Sequence, residues 1–246
     1  MKVLTVYAHH NPRSFCHAVL ERFTQGLRDA GHESEVVDLH AIGFDPVFRE
    51  RDGPAWVDDS VPDDVLARWQ VRRSLTQGAR GPLRRLLVRR WMGGSDEREL
   101  VRRLHALGPP KDVAEQQAKV AAADALAFVA PVYFLGFPAI LKGWIDRVWS
   151  LGFAFGMTAR SWRGDVSARV PLLRHRKALI LQTTIWDQAS YETGLKAAMQ
   201  VVLDEYALRF PGIREVRHEF FHAVPSADDA TRAAYLERAY RLGLTF

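Results

Sequence analysis

Short apolar runs alternate with segments of helical period along almost the whole of this 246-residue chain. That alternation restricts the fold more than any other feature. Lys2 to Ala8 is an apolar run of the kind that is buried on both faces of a parallel sheet. A polar loop, His9 to Arg13, leads into Phe15–Leu27, where Phe15, Val19, Phe23 and Leu27 recur every four residues. Ser14 stands at the N-cap position and Gly31 ends the helix. Ser34 to Leu39 reads as a second strand and completes a βαβ unit. Further strands are predicted at Ala125–Ala130, Lys177–Thr183 and Val216–Val224, with helices at Pro138–Leu151, Tyr191–Phe210 and Asp228–Leu242. The order predicts an α/β fold, one doubly wound sheet of five parallel strands with helices on both faces.

One stretch breaks the alternation. The chain reads as a single domain, 1–246, with an inserted segment at about 53–111, too long for a plain βα loop. Leu83–Trp91 and Glu97–Leu107 are predicted as short basic helices separated by Gly93 and Gly94, with Ser95 as the second N-cap. The net charge of +5 belongs to this segment. Residues 68–103 hold 11 Arg against Asp96, Glu97 and Glu99, a local +8, and the remainder is −3. A general nucleic-acid-binding surface is therefore not expected. A solvated helix face or a dimer contact is the ordinary reading of the insertion, and a lid over a ligand site that attracts a phosphate is a sharper one.

The longest uncharged run, residues 125–141, is 17 residues and is broken by Pro131, Gly136 and Pro138. A membrane-spanning helix needs roughly 20 apolar residues, so no span is expected. With Cys16 alone, no intrachain disulfide is available, and a cytoplasmic protein is the expectation. The N-terminus opens as a strand and not as a signal peptide.

In such sheets ligands bind beyond the carboxyl ends of the strands, near the switch in strand order. The first loop, His9-His10-Asn11-Pro12-Arg13-Ser14-Phe15, has neither GxGxxG nor a P-loop lysine. It does bring a hydroxyl and backbone N–H groups to a helix N-terminus, a geometry that binds phosphate; an ordinary capped helix is the alternative. The loop after the third strand, Pro131 to Pro138, is aromatic and uncharged, which suits a flat ring system better than an acid–base pair.

Pro138-Ala139-Ile140-Leu141-Lys142-Gly143-Trp144-Ile145-Asp146-Arg147-Val148, followed by Gly152-Phe153-Ala154-Phe155, closely resembles the NAD(P)H:quinone oxidoreductases of flavodoxin-like fold (the DT-diaphorase type). His9 with Ser14-Phe15, Asp38-Leu39 with Phe44-Asp45-Pro46, Ala114-Glu115-Gln116, and Thr183-Thr184 followed by Tyr191 fit the same pattern. The resemblance covers nearly the whole chain except the insertion. It implies the strand order 2-1-3-4-5, a bound flavin (FAD rather than FMN), NAD(P)H as hydride donor, a quinone-like acceptor and a homodimer. It assigns His9, Ser14, Phe15 and Cys16 to the flavin phosphates and ribityl chain. Val132, Tyr133, Phe134 and Leu135 would contact the isoalloxazine through their backbone. Thr183, Thr184, Ile185, Trp186 and Tyr191 would line its pyrimidine edge. Asp146 would reach across the dimer, and Arg232 is the choice for the adenine end. The implied chemistry is ping-pong two-electron transfer, with Tyr191 as catalytic donor to the anionic edge of the reduced ring. Phe153, Phe155 and Trp186 would bind the acceptor.

Departures qualify the pattern. Ile185-Trp186 stands where the family carries two glycines, so these side chains must point away or reshape the pocket. Six residues past the tyrosine, where the best-studied members have a charge-relaying histidine, stands Ala197. The acceptor pocket is expected to be apolar and partly capped by Trp186. A flavin-binding regulatory subunit acting through a partner, or a reductase dedicated to one biosynthetic intermediate, are the other functions that such departures permit.

His218-Glu219-Phe220-Phe221-His222 matches HExxH, but a zinc site needs that motif on a helix and these residues read as strand. His9-His10 has no carboxylate or cysteine cluster beside it. A thiolate at Cys16, favoured by the helix start, is set against a small residue packed near the flavin chain.

Overall fold

Apolar stretches form the central strands of the main sheet, and its two edge strands, Glu33–Asp38 and Glu215–Phe221, carry charged residues. The computed structural model describes residues 1–246. In chain order, β1 (Lys2–Tyr7) is followed by α1 (Phe15–Asp29) and β2 (Glu33–Asp38). Then come a 3₁₀ turn, Glu50–Trp56, and the helices α2 (Asp63–Trp69), α3 (Val71–Gly78), α4 (Pro82–Met92) and α5 (Glu97–His105). Next are α6 (Lys111–Ala121), β3 (Ala125–Pro131) and α7 (Ala139–Val148), then β4 (Phe155–Gly156), α8 (Ala159–Trp162) and β5 (Val170–Pro171). The last part holds β6 (Lys177–Thr183), α9 (Gln188–Glu192), α10 (Leu195–Gln200), a π-helical segment Val201–Arg209, β7 (Glu215–Phe221) and α11 (Asp229–Leu244).

The main sheet is parallel throughout, in the order β2-β1-β3-β6-β7. This is the expected order of five strands. β3, Ala-Leu-Ala-Phe-Val-Ala-Pro, is buried along its whole length. Val3, Tyr7, Ala127, Val129, Leu179 and Leu181 pack with α1 and α11 residues such as Val19, Phe23, Leu27 and Leu242. At their crossing, α1 and α11 touch backbone to backbone. A Cβ on Gly26 would stand 2.1 Å from the Tyr240 carbonyl oxygen, and one on Gly243 2.2 Å from that of Phe23.

Several motifs behind the family resemblance meet in one structural knot. Trp144 Nε1 donates to the buried Gln116 Oε1 at 3.1 Å. The buried Arg147 guanidinium donates to the Asp45 carbonyl at 2.7 Å and pairs with Asp112 at 2.6 Å. Gly143 lets α7 approach Pro46, whose carbonyl oxygen would lie 2.2 Å from an added Cβ. These residues hold the loop after β2 and the start of α6 against α7, so their work is packing.

The chain forms two compact units. One comprises residues Met1–Phe48, Asp112–Val148 and Leu173–Phe246; the other comprises Arg49–Lys111 and Trp149–Leu172. The second has its own core, with Val61, Leu66, Val71, Met92, Leu100 and Val101 buried together. Ion pairs Arg98–Asp63 (2.5 Å), Arg102–Asp59 (2.9 Å) and Arg163–Asp64 (2.6 Å) tie its helices.

Three local expectations need correction. The basic stretch holds four helices and not two, although α4 and α5 match the predicted pair. The α5 N-cap is Asp96, whose carboxylate accepts the Glu99 N–H at 2.7 Å; its charge suits the positive helix end better than the Ser95 hydroxyl does. Tyr191–Phe210 is not one helix. Gly194, at φ +110°, breaks it after α9, and the second half widens into π-helix, with Phe210 N–H bonded to Glu205 O at 2.7 Å.

Candidate functional site

The carboxyl ends of β1, β3 and β6 converge within the sheet unit, and their loops are stitched together by backbone bonds. Val132 N–H donates to Thr183 O at 2.9 Å, and Thr184 N–H to Phe221 O at 2.9 Å. Ala8 N–H donates to Val129 O at 3.0 Å. The strand ends are therefore fixed, and only the loop tips are left to meet a ligand.

In the first loop, Asn11 N–H donates to His9 Nδ1 at 3.0 Å and Arg13 N–H to Asn11 Oδ1 at 2.9 Å. Ser14 caps α1 as expected, its Oγ accepting from His17 N–H at 3.1 Å. The N–H groups of Phe15 and Cys16 have no acceptor in the chain, as the first turn of any helix leaves them. His9 stacks on His10 with ring centroids 4.8 Å apart. Burial, then the neighbouring His10 and His40, push the His9 pKa down, so the ring is a neutral hydrogen-bonding group. Beneath the loop, Tyr7 is wholly buried and its hydroxyl has no partner.

Cys16 does not behave as an activated thiol. It is buried, and desolvation pushes its pKa up to about 12, opposed weakly by the Thr183 side chain. Of the two expectations for Cys16, its burial in the core fits the packed residue. Cys16 is a small packed residue that joins the first loop to the end of β6.

The second loop is a tight turn. Tyr133 and Gly136 exchange both backbone bonds, at 3.1 and 3.2 Å. Phe134 and Leu135 lie between them with φ of +43° and +68°, the signature of a type I′ turn, which normally favours Asn and Gly. Phe134 is fully exposed, and Tyr133 and Leu135 are a little under half exposed. The turn thus offers backbone polar groups and apolar rings, with no charge.

In the third loop, Thr184 Oγ1 donates to Trp186 O at 2.6 Å, and Ala223 N–H donates to the same oxygen at 2.9 Å. Ile185 is mostly exposed and Trp186 about half exposed. Tyr191 is buried. Its ring packs against Trp186, Phe220 and His222 at 6.5, 5.4 and 5.0 Å between centroids. Burial raises its pKa, so the hydroxyl keeps its proton and can donate.

His222 was not singled out as a functional residue by the sequence. It packs on Tyr191, its Nδ1 is buried without a partner, and burial, followed by Arg238 and Lys196, lowers its pKa. Only the strand pairing brings residues 191 and 222 together. The HExxH segment is strand β7, running into His222, as expected.

Four other expected site residues lie elsewhere or are engaged. Arg232 donates to the carbonyls of Ala227 (3.0 Å) and Val224 (2.8 Å) and lies over the Phe15 ring at 5.5 Å. Its guanidinium therefore shapes the loop after β7. Asp146 pairs with Lys142 one turn back on α7. Phe153 and Phe155 belong to the other unit, where they pack on Trp149 and Trp56. That unit also has a groove of about 700 Å³, walled by Trp69, Val71, Leu75, Val88 and Leu104 and rimmed by Arg51 and Arg84.

The family of flavodoxin-like fold matches residues 1–242. A ribosyldihydronicotinamide dehydrogenase-like protein (traD) of Penicillium crustosum is 28% identical over 208 residues, which span 82% of this chain and 65% of that protein's length. NAD(P)H dehydrogenase (quinone) 1 of Rattus norvegicus is 26% identical over 242 residues, 96% of this chain and 74% of that one. Among solved structures, the NAD(P)H:quinone oxidoreductase of Methanothermobacter marburgensis is 29% identical, with a TM-score of 0.67, covering 100% of this chain and 95% of that one.

Proposed function

This chain belongs to the flavodoxin-like family that includes NAD(P)H:quinone oxidoreductases, and from that membership we propose that it is a flavin-dependent NAD(P)H oxidoreductase acting on a quinone or related electrophile. The observation that carries this reading is the pairing of the open N-terminus of α1 with the uncharged I′ turn at 133–136. One suits a phosphate and the other suits a flat heteroaromatic ring.

A flavin asks three things of a chain, and the residues present fit each. Its phosphate needs donors, which the Phe15 and Cys16 N–H groups, Ser14, His9 and the exposed Arg13 offer. Its ring edge needs backbone N–H and C=O groups approachable without side chains in the way, which suits Val132 to Leu135. The N1/O2 edge needs a donor that stays protonated, and Tyr191 qualifies. When bound, the flavin supplies reversible hydride transfer between a nicotinamide and the acceptor.

The chain's own part is positioning and electrostatics. Tyr191 donates to the edge where negative charge develops, and Thr183 and Thr184 complete that edge. His222, packed against Tyr191, orients the phenol ring. Trp186 covers part of the acceptor's approach. FAD as the cofactor, a homodimer reached by Asp146, and a cytoplasmic location complete the reading.

The test is the visible spectrum of the purified protein after incubation with FAD or FMN. A yellow protein that bleaches with NADPH and regains colour with a quinone supports the proposal. A protein that takes up neither flavin overturns it. Chromatography of the released flavin decides between FAD and FMN.

A further inference from the structure

The segment His218-Glu219-Phe220-Phe221-His222 has a use that neither zinc chemistry nor the proposed activity accounts for. Alternation along β7 puts His218 and Phe220 on one face, where their rings stack with centroids 4.1 Å apart. The His218 side chain is completely buried and both ring nitrogens are engaged. Nδ1 lies 2.9 Å from Asp204 Oδ1, and Nε2 lies 2.9 Å from Gln182 Oε1. Gln182 is completely buried on β6. Its Nε2 lies 3.4 Å from the carbonyl oxygen of Pro131 and 3.4 Å from that of Gly136. A continuous polar line thus runs from the π-helical segment, through β7 and β6, to both ends of the turn after β3.

Bond direction orders this line. Two carbonyls can only accept, so the Gln182 amide nitrogen faces the turn and its oxygen faces His218. That oxygen needs a hydrogen on Nε2. Nδ1 then faces a carboxylate, and the contact requires one proton held between ring and carboxyl. Asp204 therefore holds the ring in the orientation that lets it donate to Gln182, as a carboxylate behind a histidine does elsewhere. Asp204 itself lies in the widened π-helical stretch, a deviation that recurs at functional positions.

The far end of the line needs such support. Phe134 and Leu135 both occupy left-handed backbone conformations without being Gly, Asn or Asp. Each is a strained conformation for such a residue and persists only where the surroundings over-determine it. The apolar side chains at the tip are exposed and cannot anchor the turn. From the neighbouring strand the Thr183 carbonyl holds the first end through Val132 N–H at 2.9 Å, and Gln182 is the side chain that reaches both ends.

We propose that Asp204, His218 and Gln182 form a buried strap that fixes the turn at residues 131–136, and that His218 is a positioning residue for the ring seated there. The functional half rests on the reading of that turn as the flavin-ring seat. A ring held by backbone groups tolerates little displacement, since misplacement of about 1 Å can cost on the order of 100-fold in rate.

The test separates the two halves. Gln182→Met keeps volume and leaves the His218–Asp204 pair intact while removing both donations to the turn; Gln182→Glu is the second variant, isosteric but unable to donate when ionised. In flavin-free protein, amide hydrogen exchange at Tyr133 and Gly136 is expected to quicken at least tenfold in Gln182→Met, with Phe128 on β3 unchanged. Asp204→Asn, which retains a polar partner for Nδ1, is expected to keep wild-type exchange, and Asp204→Leu is not. With FAD or FMN added, Gln182→Met is expected to bind at least tenfold more weakly and to show a shifted flavin midpoint potential. Unchanged exchange at Tyr133 and Gly136 in both Gln182 variants overturns the strap. Faster exchange with unchanged flavin affinity and potential overturns its role toward the ring. Wild-type protein that binds no flavin overturns the function proposed above, and the exchange experiment still decides the strap.

Discussion

In the sheet unit, apolar residues run in unbroken strands and polar groups collect where the strands end. There the N–H groups of Phe15 and Cys16, the Tyr7 hydroxyl and the His222 Nδ1 are left without partners in the chain. In the helical unit, polar groups are used between helices. Arg72 donates to the carbonyls of Gly93 and Ser95, Arg85 to that of Ala79, and Arg98 and Arg102 pair with Asp63 and Asp59. The lesson concerns charge. The segment with the +8 excess uses much of its arginine to cross-link itself, and its acidic partners Asp59 and Asp63 lie just before the window in which the excess was counted. The unit that is near neutral is the one with open hydrogen-bonding groups. Formal charge alone therefore pointed away from the candidate site.

The comparison can be broken most severely through backbone packing in the sheet unit. Gly26→Val drives a side chain into the α11 backbone and is expected to cost about 3 kcal/mol, read as a lower urea midpoint. A midpoint equal to wild type would mean that α1 and α11 do not cross so closely. Next in size is Tyr191→Phe. If the open groups of the sheet unit serve a flavin, this variant keeps its flavin but loses about 10- to 100-fold in kcat/KM for quinone reduction, the scale of a lost donor to a developing anion. Equal kinetics would remove Tyr191 from the chemistry. Trp186→Gly should alter acceptor KM with flavin content unchanged, and no change in either would misplace Trp186.

Ser14→Ala removes the α1 cap and is expected to cost about 1 kcal/mol together with weaker flavin binding, measured by fluorescence titration. The two units also differ in their response to acid. His9, His175 and His222, all in the sheet unit, have pKa values lowered by burial from 6.5. Their contribution to stability is full above pH 6.5 and is lost as pH falls through their lower folded values. In the helical unit, Asp64 is lowered by Arg163, and Asp165 by Ser167 and Arg160, from 3.8. Their contribution is present above that value and is lost as pH falls through the lower folded ones. Exchange protection on β6 and β7 should therefore weaken at mildly acidic pH, before protection on α5 does; simultaneous loss would deny the difference. The smallest effect is expected from Arg98→Ala, an exposed pair worth under about 1 kcal/mol, with flavin binding untouched.

The central strands were legible because buried parallel strands leave continuous apolar runs, and Lys177–Thr183 was predicted to the residue; the strand order followed from the family resemblance. Ser14, Thr183-Thr184 and the uncharged turn were legible because caps and turns carry local chemistry. The break at Gly194 was less so, since a glycine within a helical pattern is often tolerated.

The sequence by itself determined the βαβ alternation, the cap of α1, the strand character of the HExxH segment and the family, because these depend on residue spacing along the chain. The tertiary structure alone decided that Cys16 is an inert packed thiol, that Arg232 is occupied by its own loop, that His222 packs on Tyr191 and that His218 reaches the 131–136 turn through Gln182. Those facts depend on which strands lie side by side. Residues 36 positions apart along the chain, as Gln182 and His218 are, meet only once the sheet has formed.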